Sequence, residues 1–145
     1  MMISTKGRYA LRVMIDLAQN KDKGYVSLTS ISKRQEISLK YLEAIIAMLN
    51  RAGYVKSLRG VNGGYKLTRE PCDYSVGEIL RLTEGGITLV ACMNCNNLAK
   101  CNRSNDCLTL PLWSQLDNFI NGYLDSISLN DILNQDYKKD YQFKF

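Results

Sequence analysis

Four cysteines fall within sixteen residues, Cys92, Cys95, Cys101 and Cys107, in the stretch LVACMNCNNLAKCNRSNDCLTLPLW from Leu89 to Trp113. The chain has five cysteines and no histidine. Thiolates gathered on a loop bind soft metal ions or iron–sulfur clusters. The spacing here is C-x2-C-x5-C-x5-C. Structural zinc usually takes two paired-cysteine knuckles, and only one is present, so zinc is the less favoured occupant. Neither common ferredoxin spacing fits. Without histidine, nucleophile–base pairs of the Cys–His or Ser–His type cannot form, and no P-loop or dinucleotide fingerprint is present. An enzyme is therefore not expected, and no small-molecule substrate is indicated. The fifth cysteine, Cys72, follows Pro71 and reads as a small buried or half-buried residue.

The elements around the thiols point to a polyanion partner. Residues 1–71 hold 13 Lys+Arg against 5 Asp+Glu, whereas residues 72–145 hold 6 against 9. A basic first half on a small protein suits nucleic acid, although a solvated basic face gives the same count. The start MMISTKGRYALR is charged too early for a signal peptide, and no apolar run reaches membrane-spanning length. The expectation is a soluble cytoplasmic protein with no membrane partner. An odd cysteine count in a reducing compartment argues against a disulfide framework.

Hydrophobic periodicity predicts a helix over about residues 5–20, carrying Ala10, Val13, Met14 and Leu17 on one face. Ser27 is the expected cap of a second helix that buries Leu28 and Ile31. Ser38 caps a third with Leu42, Ile45, Ile46 and Leu49 inward, ended by Gly53. Two short helices joined by about three residues make a helix-turn-helix, whose second helix enters a major groove. YVKSLRGVNGGYKLT (Tyr54–Thr68) reads as a hairpin turning at Asn62-Gly63, which is a wing. Between Arg51 and Arg69 there are five cations and no acid. The glycine-rich tip would let backbone N–H groups approach phosphates, with Arg59 at its base entering a minor groove. Ser75-Val-Gly-Glu78 is a capping box for a fourth helix, broken by Gly85-Gly86. A long helix over about 110–128 carries Pro111 in its first turn. Its Trp113, Leu116, Ile120, Tyr123 and Ile127, alternately three and four apart, form a coiled-coil-like seam suited to a homodimer or to packing on the chain itself. Ser128 and Asp131 cap a last short helix before a polar–aromatic tail.

The expected fold class is mainly α with a small β-hairpin. It divides into a winged helix-turn-helix domain at 1–84, a cysteine-rich loop at 85–109, a dimerisation helix at 110–128, and a short helix with tail at 129–145.

Several motifs make a resemblance plain. STKGRYAL at Ser4–Leu11, ISLKYLE at Ile37–Glu43, LRGVNGGYKL at Leu58–Leu67, YSVGEILRLTEG at Tyr74–Gly85 and the cysteine loop running into CLTLPLW resemble the IscR/CymR/NsrR family of bacterial winged helix-turn-helix regulators. The resemblance covers nearly the whole chain in order. It implies a homodimeric transcription factor bound to a double-stranded DNA operator. Ser38, Lys40, Tyr41 and Glu43 would lie at the exposed start of the recognition helix, and Arg59, Gly60, Gly63, Gly64 and Tyr65 in the wing, with Tyr65 equally suited to the core. Thr5, Lys6 and Arg8 begin helix one, within reach of the DNA backbone. Lys40 and Arg59 suit phosphate or guanine, and Glu43 can accept from cytosine.

The resemblance also implies an iron–sulfur cluster on three loop cysteines, [2Fe-2S] or, in nitric-oxide sensors, [4Fe-4S]. Cys101 and Cys107 match the second and third, and either Cys95 or Cys92 matches the first. Some relatives place a histidine ligand where this chain has Leu110, and another branch an acidic ligand where it has Arg8. The expectation is a [2Fe-2S] centre on Cys92, Cys95, Cys101 and Cys107, sensing iron–sulfur status, redox or nitric oxide. The alternatives are a cluster-free or zinc-binding regulator of cysteine metabolism and, more remotely, an electron carrier.

Overall fold

Serines set most of the helix starts. In a computed structural model that describes residues 3–93 and 101–138, the hydroxyls of Ser4, Ser27, Ser38, Ser75 and Ser128 each accept a hydrogen bond from the amide three residues on. This satisfies amides that have no partner inside the helix. The first four open α1 (Thr5–Gln19), α2 (Leu28–Gln35), α3 (Leu39–Arg51) and α4 (Val76–Glu84). α5 (Leu110–Ser126) has no side-chain cap and begins with Pro111 in its first turn. Ser128 opens α6 (Leu129–Asn134) with a full capping box to Asp131. The box expected at Ser75 is only half made, because the Glu78 carboxylate pairs with Arg69 at 2.8 Å.

β1 (Val55–Leu58) and β2 (Gly64–Leu67) pair antiparallel, with Val55 opposite Leu67 and Leu58 opposite Gly64. Val26 extends this pairing by an isolated bridge to Tyr65, each amide donating to the other's carbonyl at 2.9 Å. The fold is thus mainly helical with one hairpin, as the pattern of elements predicts.

The main core gathers Ala10, Val13, Met14 and Leu17 of α1, Ile31 of α2 and Leu42, Ile45, Ile46 and Leu49 of α3 with Val55, Tyr74 and Ile79. The members from α1, α2 and α3 are the periodic positions read from the sequence, except that Leu28 is half-buried. One carboxylate lies among them. Asp16 is 1% exposed, and it accepts from Arg34 through both oxygens, at 2.6 and 3.0 Å, and from Gln35 at 2.9 Å. A buried charge is tolerated only when so paired, and this one ties α1 to the end of α2. The turn between α2 and α3 places Glu36 in the left-handed region at φ 54°. Ser32 donates its hydroxyl to the Ile37 carbonyl at 2.6 Å and so closes that turn.

A second apolar cluster joins α4 to α5: Val76, Leu80, Ile87 and Ile127. Here the seam expected on α5 divides. The helix ends at Ser126, and Ile127 is extended (φ −104°, ψ 119°), which turns its side chain inward to 8% exposure. Ile127 therefore belongs to the chain's own core. The outward apolar stripe of α5 is Leu112, Leu116 and Phe119, 56%, 40% and 62% exposed, while Trp113, Ile120 and Tyr123 are half-buried. α6 does not stand apart as a terminal segment. Leu129 is fully buried in the main core, its amide donates to the Tyr74 carbonyl at 3.0 Å, and Val76 donates to the Ile127 carbonyl at 2.8 Å. The last part of the tail, residues 139–145, lies outside the described residues.

Candidate nucleic-acid interface and thiol segment

The first turns of α3 form an exposed surface because its apolar stripe faces inward from Leu42 onward. Ser38, Lys40, Tyr41 and Glu43 are all exposed. Tyr41 is propped edge-on against Tyr9 of α1, ring centres 5.4 Å apart, and Arg12 stacks over Tyr9 at 5.4 Å. Arg12 also bonds the Gln35 side chain at 3.1 Å and its carbonyl, so one arginine links α1, α2 and the platform under Tyr41. Thr5, Lys6 and Arg8 are exposed at the start of α1, where the Arg8 guanidinium donates to Thr5 at 3.1 Å.

The wing departs from expectation at its tip. The left-handed residue is Gly60, at φ 110°, and neither Asn62 nor Gly63 has positive φ. Gly63 is needed for closeness instead: a Cβ there would lie 2.3 Å from the Leu58 carbonyl oxygen. Its N–H donates to the Gly60 carbonyl at 3.0 Å, so it serves the loop rather than a phosphate. Gly64 is fitted against Val26, whose carbonyl oxygen would be 2.3 Å from a Cβ. Tyr65 packs its ring on the main core and its backbone on Val26, which makes it part of the frame. Arg59 and Val61 are exposed at the tip.

Two residues that sequence reasoning missed hold the wing in place. Tyr74 is fully buried. Its hydroxyl donates to the Tyr54 carbonyl at 2.7 Å and accepts from the amides of Arg69 at 2.9 Å and Thr68 at 3.1 Å. Arg69 stacks on Tyr74 at 4.1 Å and Tyr54 at 5.2 Å while its guanidinium bonds Glu78 and the Asp73 carbonyl. Arg69, one of the five hairpin cations, is thus tied to a carboxylate. Its neighbours Lys56 and Lys66 face each other across the strands, and Lys66 lies over the Tyr25 ring at 4.7 Å. No periodic pattern marks Tyr74; its only trace is a tyrosine just ahead of a helix cap.

The thiol segment leaves α4 at Gly85 and returns at α5. Cys92 is exposed in a short 3-10 turn, Ala91–Met93. Cys101 and Cys107 are half-exposed, and Cys92, Cys101, Cys107 and the exposed Cys72 are all free thiols. Cys95 lies outside the described residues. The hydroxyl of Thr109, 3.4 Å from the Cys107 sulfur, together with the Thr109 and Leu110 amides, holds that thiol below its ordinary range and favours thiolate. Accessible unpaired sulfur, one of it biased toward thiolate, is the donor chemistry a soft metal or cluster needs. Among the described residues, no three Cys, Asp or Glu side chains are gathered closely enough to hold a metal ion. No helix among them is long and apolar enough to cross a membrane.

Comparison with known proteins gives a consistent picture. Residues 3–135 match the family model Rrf2, described as an iron-dependent transcriptional regulator. The chain is 37% identical to the HTH-type transcriptional regulator IscR of Escherichia coli over 134 residues, 92% of this chain and 81% of that protein. The solved structure of T. potens IscR superposes with a TM-score of 0.74 at 40% identity, covering 97% of this chain and 92% of that one. CymR, the global cysteine regulator of B. subtilis, superposes with a TM-score of 0.76 at 38% identity, covering 93% and 98%.

Proposed function

Because the chain belongs to the Rrf2 family of iron-dependent transcriptional regulators, we propose that it acts as a homodimer on an operator in double-stranded DNA and reports on iron–sulfur or redox state through its thiol segment. On this reading α3 enters the major groove, where Ser38, Lys40, Tyr41 and Glu43 meet base edges and phosphates. Arg59 reaches the adjacent minor groove, and Thr5, Lys6 and Arg8 contact the backbone. Leu112, Leu116 and Phe119, flanked by Trp113, Ile120 and Tyr123, cover their counterparts in a second copy, which spaces two recognition helices for paired half-sites. The observation that carries the DNA reading is the exposed, Ser38-capped start of α3 beside a basic wing.

Cys92, Cys95, Cys101 and Cys107 would hold the centre, as [2Fe-2S] in the first instance and as [4Fe-4S] or zinc otherwise. Bound there, an iron–sulfur centre supplies an iron site that reacts with oxidants and nitric oxide. The chain's contribution is to present soft ligands on the one stretch that links α4 to α5. The likeness to CymR favours a second reading, in which a cluster-free chain regulates cysteine metabolism.

Iron and sulfide content and the absorption spectrum of anaerobically isolated protein separate the two. The cluster reading expects a charge-transfer band that is lost in individual Cys→Ala variants, and operator binding that changes when iron is removed. Colourless protein whose DNA affinity ignores iron would sink it in favour of the second reading.

A further inference from the structure

A ladder of polar groups runs between the head and the thiol segment, and neither the nucleic-acid face nor the sulfur ligands use it. Asp117, Asn121 and Asp125 stand four residues apart on α5 and so share one face. Arg81 of α4 reaches across to the Asn121 side-chain oxygen at 3.2 Å and pairs with Asp125. The Asn121 amide group donates to the Ile87 carbonyl at 3.2 Å and to Asp117, and Asp117 accepts from the Leu89 amide at 3.2 Å. Ile87 and Leu89 are the lead-in to the cysteines. Gly77 of α4 fits flush against this face, since a Cβ there would lie 2.1 Å from the Asp125 carboxylate.

We propose that Asn121 is the positioning residue through which the thiol segment sets the angle of α5 against α4, and hence the placement of α3 in each copy. The inference rests on the reading of the thiol segment as a sensor. The residues that follow α5 are held firmly: the Ser75–Ser128 bridge and the Val76–Ile127 and Leu129–Tyr74 hydrogen bonds join them to the head. No residue of α5 itself is buried in the chain. Half-exposed ion pairs such as Arg81–Asp125 contribute little to stability. Directional hydrogen bonds contribute geometry, which an apolar contact does not fix. Asn121 alone in the ladder faces both ways, accepting from the head through its oxygen and donating to the segment through its nitrogen. Beside the apolar cluster that holds Ile87 with Val76 and Leu80, a displacement of the lead-in therefore reaches Arg81 through this one polar side chain.

The test uses the full chain with Cys72→Ser throughout, so that only segment thiols react. A duplex selected from a random pool by the unmodified protein serves as probe. Segment cysteines are alkylated with N-ethylmaleimide, and in a parallel arm iron is chelated from anaerobically isolated protein. Alkylation should change the parent's Kd by about tenfold, within the usual span of allosteric coupling. Asn121→Asp keeps the acceptor for Arg81, loses the donor to Ile87 and sets a second carboxylate against that of Asp117. It should bind the duplex like the parent before alkylation, respond less than about twofold afterwards, and unfold at a lower temperature. Asn121→Ala should lose the response as well. A lower unfolding temperature with the full response retained would reduce Asn121 to a structural role and overturn the proposal, as would a parent indifferent to alkylation. If alkylation is transmitted and iron removal is not, Asn121 stands and the iron reading falls. If iron removal acts equally on parent and both variants, the sensor reading stands and Asn121 falls.

Discussion

Within the head, Val13, Met14, Leu17, Leu42, Ile45 and Leu49 lose nearly all their surface to one another, whereas α5, a longer helix than α3, buries none of its residues inside the single chain. The head also pairs what it buries, down to the carboxylate of Asp16. α5 instead leaves Leu112, Leu116 and Phe119 to solvent. On the proposed dimer the two regions answer to different variables, the head to its own packing and α5, half-buried inward and apolar outward, to the concentration of a partner as well.

That contrast can be broken or sharpened. Leu42→Ala, deep in the head, should cost about 3 kcal/mol in urea unfolding through lost burial and a residual cavity. Tyr74→Phe should cost about 2 kcal/mol, because the Arg69 amide loses its partner while the Tyr54 carbonyl and the Thr68 amide keep only their 3.2 Å bond to each other and the Thr68 hydroxyl. Ser128→Ala should cost about 1 kcal/mol as a lost helix cap. It also has a pH signature. The Ser128 hydroxyl, then its amide, hold the Asp131 carboxyl below its ordinary 3.8. A depressed acid stabilises above that value and loses the contribution as pH falls through its folded pKa. Ser128→Ala should therefore flatten the acid limb of the stability curve. Smallest in the single chain is Phe119→Ser, at less than about 0.5 kcal/mol in dilute protein, together with a clear weakening of self-association in sedimentation. A loss from Phe119→Ser as large as that from Leu42→Ala, in dilute protein, would erase the distinction between the regions.

Local features were the legible ones. The caps at Ser27, Ser38, Ser75 and Ser128 and the periodic core residues of α1 and α3 depend on neighbours three or four residues away, and the sequence displays those directly. The tip of the wing was misjudged because Asn62-Gly63 suits a two-residue turn, whereas strands ending at Leu58 and starting at Gly64 leave a five-residue loop that turns at Gly60. Ile127 continues the spacing of the α5 seam, yet helical periodicity stops applying one residue past the helix end. Asp16 and Tyr74 were invisible for another reason. Their partners, Arg34 and the Tyr54 carbonyl, come from other elements, and only the tertiary arrangement brings them together. At the candidate site, the exposed start of α3 and the tip arginine were readable as residue types. The tightness at Gly63, against the Leu58 carbonyl, and at Gly64, against Val26, is not, and Tyr65, suited by type to contact or core, packs on the core beside Val26.

Leu129 carries a practical consequence for dissecting the molecule. It opens α6 yet is buried in the main core where α6 packs on α1, with its amide on Tyr74. A fragment trimmed after Glu84 would keep every residue proposed to meet DNA and still lack this buried leucine. Minimal versions of the reader must carry residues 128–134 along, supplied in cis by a short linker or in trans as a peptide.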